Sequence, residues 1–199
     1  RHTSFRIGGP ARLMALPKSA VQAKAAVLAA READILPFFL GNGSNLLVPD
    51  EGVERFLIQP AGRYSADPLN RVWEENGQLC AGGGVSLAML ASAALGRNLT
   101  GLEFASGIPG SVGGAVVMNA GAYGGEMKQV LRSAAVLFPE EGIRTLSGEE
   151  LNLSYRHSLL TERPEAVVLY AEFELTPGDS EAIRAAMREL MAKRKASQP

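Results

Sequence analysis

The chain has 199 residues, 20 Lys and Arg against 21 Asp and Glu, a formal net charge of −1 and one cysteine, Cys80. Mixed charge of this kind offers no basic face to nucleic acid and no attraction to an anionic membrane. A lone thiol excludes an internal disulfide and any thiolate-built zinc or iron–sulfur centre, and suits a reducing cytoplasm.

The length allows one compact unit or two small intimate lobes. The sequence contains no apolar run of about 18 residues and no signal-peptide profile. It starts at Arg1 without a methionine and stops at Pro199, so trimming at both ends is expected.

In chain order, Arg1 to Pro10 is polar and turn-like, and Ala11 to Leu16 reads as a short strand ended by Pro17. Ser19 is a natural cap for the alanine-rich run to Glu32, where Val21, Ala25, Leu28 and Ala29 share one helical face. Ile35 to Leu40 is almost uninterruptedly apolar, the pattern of a strand buried on both faces, so strand, helix and strand predict a parallel βαβ unit. Gly41-Asn42-Gly43-Ser44-Asn45 follows. A loop leaving the carboxyl end of a parallel strand is where α/β folds place nucleotides, and these residues can surround a phosphate. Leu46 stands where the dinucleotide fingerprint needs its third glycine, and Pro49-Asp50-Glu51-Gly52 prevents a helix, so a Rossmann unit is excluded; no Walker loop is present either.

Arg55 to Gln59 reads as another strand, and Pro60 to Pro68 as a connector dividing a small lobe, 1–62, from a larger one, 63–199. Arg71 to Glu75 and Gln78 to Ala81 form a hairpin about Asn76-Gly77, with Trp73 as core packing. Cys80 has no positive neighbour and reads as a small buried hydrophobe rather than a nucleophile. Ser86 caps a helix to Leu95 that carries Leu87, Leu90, Ala91 and Ala94 inward.

Eight of the 22 glycines then fall between residues 101 and 125. That many forfeits core contacts and fits a loop built for close approach. Gly107-Ile108-Pro109-Gly110 is a turn in which Gly110 is free to take positive φ, and Ser111 to Asn119 a short helix with small first residues. Its first amides are expected to point outward, unpaired, toward an anion. Asn119 to Gly125 closes the segment with a second turn carrying an amide and the Tyr123 phenol. Alone, the stretch reads equally as a connection that lets two layers approach. With residues 41–45 it makes a second phosphate-sized loop, for which a dinucleotide diphosphate is the natural ligand.

Val130 to Phe138 and Ile143 to Leu146 form a further hairpin, and Ser147 and Glu150 a capping box. Tyr155-Arg156-His157-Ser158 holds a permanent bidentate cation, suited to a carboxylate or a developing anion; the plainer alternative is a surface Tyr-Arg pair. With only His2 and His157, no histidine metal site is expected. Glu165 to Leu175 is a strand, Asp179 a cap, and Ser180 to Lys195 a helix with Ile183, Met187, Leu190 and Met191 on one stripe and Lys193-Arg194-Lys195 complementing its dipole.

In their order and spacing, residues 41–45, Gly101 to Met127 and Tyr155-Arg156-His157-Ser158 resemble the UDP-N-acetylenolpyruvoylglucosamine reductases (MurB) of bacterial peptidoglycan synthesis, over essentially the whole chain. The resemblance implies an α+β, two-lobed FAD-binding fold of the p-cresol methylhydroxylase and vanillyl-alcohol oxidase (PCMH/VAO) type: a small α/β lobe and a larger lobe with an antiparallel sheet and flanking helices. It implies that Gly41, Asn42, Gly43, Ser44 and Asn45, with Gly107, Ile108, Pro109, Gly110, Ser111, Val112, Gly113 and Gly114, hold the FAD pyrophosphate and neighbouring groups, and that Asn119, Ala120 and Gly121 line the cofactor.

By the same resemblance NADPH is the reductant and hydride passes from flavin N5 to the double bond of UDP-N-acetylglucosamine enolpyruvate. Apart from the resemblance, a cytoplasmic location and a monomer are the expectation, with the oligomeric state left open by the residues. Arg156 then polarises the substrate carboxylate, with Tyr155 beside it and Tyr123 near substrate or nicotinamide. Family members continue past Gln198-Pro199 into a third domain that supplies a serine proton donor, a glutamate and much of the UDP-sugar site, so this chain is expected to bind FAD and turn over little. A non-catalytic FAD-binding module and an oxidase acting on another alcohol remain the alternatives; His2 and Cys80 offer the latter little to anchor a flavin.

Overall fold

The structure is a computed structural model and describes residues 2–60 and 67–197. The first part is built from β1 (Ala11–Ala15), α1 (Ala20–Glu32), β2 (Pro37–Phe39) and β3 (Val53–Ile58). Ser19 caps α1 as expected, its hydroxyl accepting the Gln22 N–H at 3.1 Å. The strands are parallel, but in the order β1-β3-β2, so the third strand inserts between the two joined by the helix.

Two expectations need correction here. The buried face of α1 is Ala23, Val27 and Ala30, whereas Val21 is 76% exposed and Ala25, Leu28 and Ala29 also face out. The reason is the helix's position: Val27 packs with Ile58 on one side and with Leu137, Val167 and Leu169 of the second sheet on the other, and small alanines permit that double approach. The strand expected from Ile35 to Leu40 shrinks to three residues, with Ile35 and Leu36 exposed. The Ile35 N–H closes the end of α1 by donating to the Ala30 carbonyl (2.8 Å), and Pro37 has no N–H to pair. The lobe boundary expected at 62/63 lies outside the described residues.

The second part starts with the hairpin β4 (Val72–Glu75) and β5 (Gln78–Gly82). Asn76 and Gly77 both take positive φ, 50° and 75°, as a type I′ turn requires. There follow α2 (Leu87–Leu95), β6 (Leu99–Thr100), α3 (Val112–Val117), β7 (Gly121–Ala122), β8 (Gly125–Glu126), β9 (Leu131–Phe138), β10 (Gly142–Ser147), β11 (Val167–Phe173), β12 (Thr176–Pro177) and α4 (Ser180–Ser197).

Five strands make an antiparallel sheet in the order β10-β9-β11-β5-β4. Its inner face, with Val136, Phe138, Val168 and Phe173, meets Leu87, Leu90, Ala91 and Ala94 of α2, Val112, Ala115 and Val116 of α3, and Met187 and Leu190 of α4. Its outer face receives α1, so the middle of the sheet is covered on both sides and Ala134–Phe138 is continuously buried. Ser147 and Glu150 exchange both capping-box bonds, at 2.8 and 3.2 Å, yet close a turn rather than a helix. Trp73 is half-buried, edge-on to Tyr170 at 5.5 Å. Cys80 is fully buried; burial first, then Glu172 and Glu75, pushes its thiol up to about 11. Among the described residues no helix is long and apolar enough to cross a membrane. The parallel lobe beside an antiparallel, helix-flanked body is the two-lobed α+β arrangement expected.

Candidate functional site

Beyond the carboxyl end of β2 the chain turns through residues 41–45, where parallel α/β sheets open their crevice. Gly43 sits at φ 63°, and a Cβ there would collide with the His2 carbonyl. The Ser4 N–H donates to the Gly43 carbonyl (3.0 Å) and the Gln59 side-chain amide to the Gly41 carbonyl (2.8 Å), so the loop is held from both flanks. Asn42 Nδ2 then reaches across to the Pro109 carbonyl at 3.2 Å, and Gly41 lies so close to the Ser111 hydroxyl that a Cβ would strike it. The two glycine loops therefore meet.

The second loop is pinned by the body. The Leu87 N–H donates to the Gly110 carbonyl (3.0 Å), Val112 N–H to Val85 (2.8 Å) and Gly113 N–H to Gly83 (2.9 Å), while Ser111 Oγ accepts from Gly114 N–H at 3.3 Å. This corrects the expectation of unpaired amides at the start of α3, because that helix end is buried against residues 83–85 and must satisfy its donors there. Gly110 does not adopt positive φ either. Lining the space between the loops, the amides of Gly41, Asn42, Gly43, Ser44 and Asn45 on one side and of Gly110 and Ser111 on the other donate to nothing among the described residues.

Between the loops runs a cleft of about 660 Å³. It is lined by residues 41–45 and 108–111, Gly113, Gly114, Ala120, Gly121, Tyr123 and Arg156, with Phe38, Leu87 and Val117 among its apolar walls. Among the described residues no carboxylate lines it, and its charged groups are the guanidiniums of Arg156 and Arg194. Open glycine surfaces, unpartnered amides and the absence of an acidic group fit a nucleotide diphosphate, and the volume is that of a small-molecule site.

Four expected residues stand elsewhere. Gly107 lies under α4, where a Cβ would come within 3.2 Å of Arg194 Cδ, and Val112 is core. Asn119 is 2% exposed, its side chain turned into a polar network away from the cleft. Tyr155 is 86% exposed outside the cleft lining, with the Arg156 guanidinium 5.6 Å over its ring. Tyr123 takes φ 55° at the tip of the β7–β8 turn and does face the cleft. Arg156 stands at φ 54°, and its Nη2 donates to the Gly121 carbonyl at 3.3 Å.

Sequence reasoning missed Arg194, which it assigned to the helix dipole. Its position four residues after Leu190 and three after Met191 places it on the buried stripe of α4, and a cation on such a stripe is the available signal. Arg194 has no ion-pair partner among the described residues, unlike Lys193, which pairs with Glu189 at 2.6 Å.

The family described as "FAD binding domain" matches residues 11–147. The chain is 47% identical to UDP-N-acetylenolpyruvoylglucosamine reductase of Clostridium novyi, over all of this chain and 62% of that one, so it spans less than two thirds of the relative's length. The crystal structure of the Thermus caldophilus enzyme (MurB) superposes with a TM-score of 0.78 at 35% identity, covering all of this chain and 67% of that one. A cholesterol oxidase from Brevibacterium sterolicum, at 14% identity, shares the fold alone, with a TM-score of 0.56 over 82% of this chain and 34% of that one. The chain accordingly belongs to the FAD-binding-domain family and, within it, to the UDP-N-acetylenolpyruvoylglucosamine reductases.

Proposed function

We propose that this chain is the flavin-holding portion of a reductase that uses NADPH to convert UDP-N-acetylglucosamine enolpyruvate to UDP-N-acetylmuramate, a cytoplasmic step of peptidoglycan synthesis carried out by a monomer. The observation that carries this reading is the meeting of two amide-bearing loops across a carboxylate-free cleft with Arg156 on its wall. In this reading 1–62 is the small flavin lobe and 63–199 the larger one.

The free amides of 42–45 and of Gly110 and Ser111 hold the FAD diphosphate, and Phe38, Leu87 and Val117 exclude water from the cleft. When bound, FAD supplies the two-electron chemistry that links NADPH oxidation to reduction of the enolpyruvyl double bond. Arg156 grips the substrate carboxylate. Hydride addition at the methylene carbon leaves charge that spreads into that carboxylate, and a fixed guanidinium stabilises the developing charge more than the ground state. Tyr123 borders the same space for substrate or nicotinamide, and Tyr155 backs the guanidinium. The proton that completes the reaction belongs, in this reading, to the serine of the family's third domain, in the length of the relatives that this chain does not span.

FAD titration of this chain followed by anaerobic NADPH tests the first half: flavin is retained, and failure to bind it ends the reading. For the second half, Arg156→Ala in a full-length reductase carrying this segment keeps its flavin and loses about 10²–10³-fold in kcat. Unchanged turnover removes Arg156 from the mechanism.

A further inference from the structure

Asn119 follows the last turn of α3 at φ 40°. The Ala120 N–H donates to the Ala115 carbonyl (2.8 Å) and the Asn119 N–H to Val116 (3.3 Å), the paired bonds of a Schellman closure. Glycine would meet that backbone need at lower conformational cost, so the side chain calls for a separate explanation.

Both donor hydrogens of the side-chain amide and one of the two acceptor positions on its oxygen are in use. Nδ2 donates to Glu126 Oε2 and to the Ser154 carbonyl, each at 3.0 Å, and Oδ1 accepts the Lys128 N–H at 2.9 Å. Three pieces are thereby tied together: the end of α3, the exit of the β7–β8 hairpin, and the first residue of the turn that presents Arg156. In that turn Ser154 and His157 exchange two N–H···O bonds, at 3.0 and 3.1 Å, around Tyr155 and Arg156. Arg156 occupies the second turn position at positive φ, where a turn ordinarily takes glycine or asparagine. A non-glycine residue stays in such a conformation only where its surroundings hold it. The carbonyl that receives the guanidinium, that of Gly121, lies two residues after Asn119. Both supports of Arg156, its turn and its acceptor, are thus referenced to one buried amide.

We infer that Asn119 is a positioning residue for Arg156, acting through the Ser154 carbonyl and the 119–121 backbone rather than by touching cofactor or substrate; this rests on the role given to Arg156 above. Ser158 ties the far side of the turn to the same helix, its hydroxyl donating to the Val117 carbonyl at 2.6 Å, so loss of the Asn119 amide loosens the near side without releasing the segment.

Asn119→Gly keeps the helix closure and removes the bridge; Asn119→Asp keeps the shape and the acceptor for Lys128 but cannot donate, and serves if the glycine variant fails to fold. Hydrogen exchange on the FAD-loaded chain is expected to quicken about tenfold at the Ser154 and His157 amides, the equivalent of one lost hydrogen bond, with the Met118 and Ala120 amides and those of β9 unchanged. In a full-length reductase carrying this segment, either variant lowers kcat at least about tenfold with flavin content intact, and adding it to Arg156→Ala lowers kcat no further. Unchanged exchange at residues 154 and 157 overturns the inference. So does a rise spread over α3 and β9, which marks a purely structural role, and so does an additive loss in the double variant. If Arg156→Ala alone leaves kcat intact, the proposed function falls instead, and the exchange result still decides whether Asn119 holds the turn.

Discussion

Residues 2–60 gather one helix and a three-stranded parallel sheet around a cluster of five buried residues, three of which, Leu137, Val167 and Leu169, belong to the neighbouring antiparallel sheet. Residues 67–197 close a cluster of 28 buried apolar residues of their own. Of the thirteen large apolar side chains exposed among the described residues, nine lie in the first part, including Phe5, Val21, Leu36 and Leu47. The cleft is shared between these unequal partners. Its 108–114 wall is bonded into the body at Val85, Leu87 and Gly83, while its 41–45 wall hangs on a lobe whose buried cluster is completed by three residues of the neighbouring sheet. The lesson is that a folding defect in the body removes both walls, and a defect in the lobe removes one.

That contrast can be broken most forcefully in the core. Phe173→Ala, at a fully buried site on β11, should cost about 3–5 kcal/mol and lower the urea midpoint of the whole molecule. Val27→Ala should cost about 2 kcal/mol and be felt in the lobe alone, read by hydrogen exchange over residues 11–58 against residues 131–173. Equal loosening of both regions would make them one cooperative unit. Next in size, Gly41→Ala drives a methyl group into the Ser111 hydroxyl and should weaken FAD binding about tenfold in a fluorescence titration while shifting the melting temperature of the flavin-free chain by less than about 2 °C. Undiminished affinity would mean that the spacing of the two loops is unimportant.

The last effect is absent at neutral pH and concerns Cys80, whose thiol is raised in the folded chain from 9.0 to about 11. A raised folded value gives stability that is fully present below pH 9 and is lost as pH climbs toward about 11, because the unfolded chain releases its proton first. The melting temperature of the parent minus that of Cys80→Ala should therefore fall across that window and be flat below it. A flat difference throughout would show that the β5 thiol ionises as freely as an exposed one.

Much of this architecture was legible from local chemistry. Ser19, Ser86 and Ser111 cap where their positions predict, Asn76-Gly77 turns the β4–β5 hairpin, and the inward face of α2 is the expected one. These depend on neighbours a few residues apart. What escaped depends on distant partners. The face of α1 is chosen by Leu137 and Val167, more than a hundred residues away, and β3 takes the centre of its sheet through pairing that no local pattern encodes. The amides of α3 looked available because their acceptors, Gly83 and Val85, belong to another loop. Asn119 looked like a cofactor contact because its motif lies beside the cleft, while its side chain answers to Ser154 and Glu126. Arg194 was hidden in a basic tail until packing against Gly107 separated it from Lys193.

The bond from Asn42 to the Pro109 carbonyl has an energetic meaning for ligand capture. Loops that already touch have lost much of their freedom during folding, so a diphosphate arriving between them need not order them from scratch, and more of its contact energy remains as affinity. Preorganisation of this kind joins occupancy of the cleft to the integrity of the weaker lobe. Changes far from any bound nucleotide, on the sheet that carries the 41–45 loop, should act as affinity variants without altering a single contact.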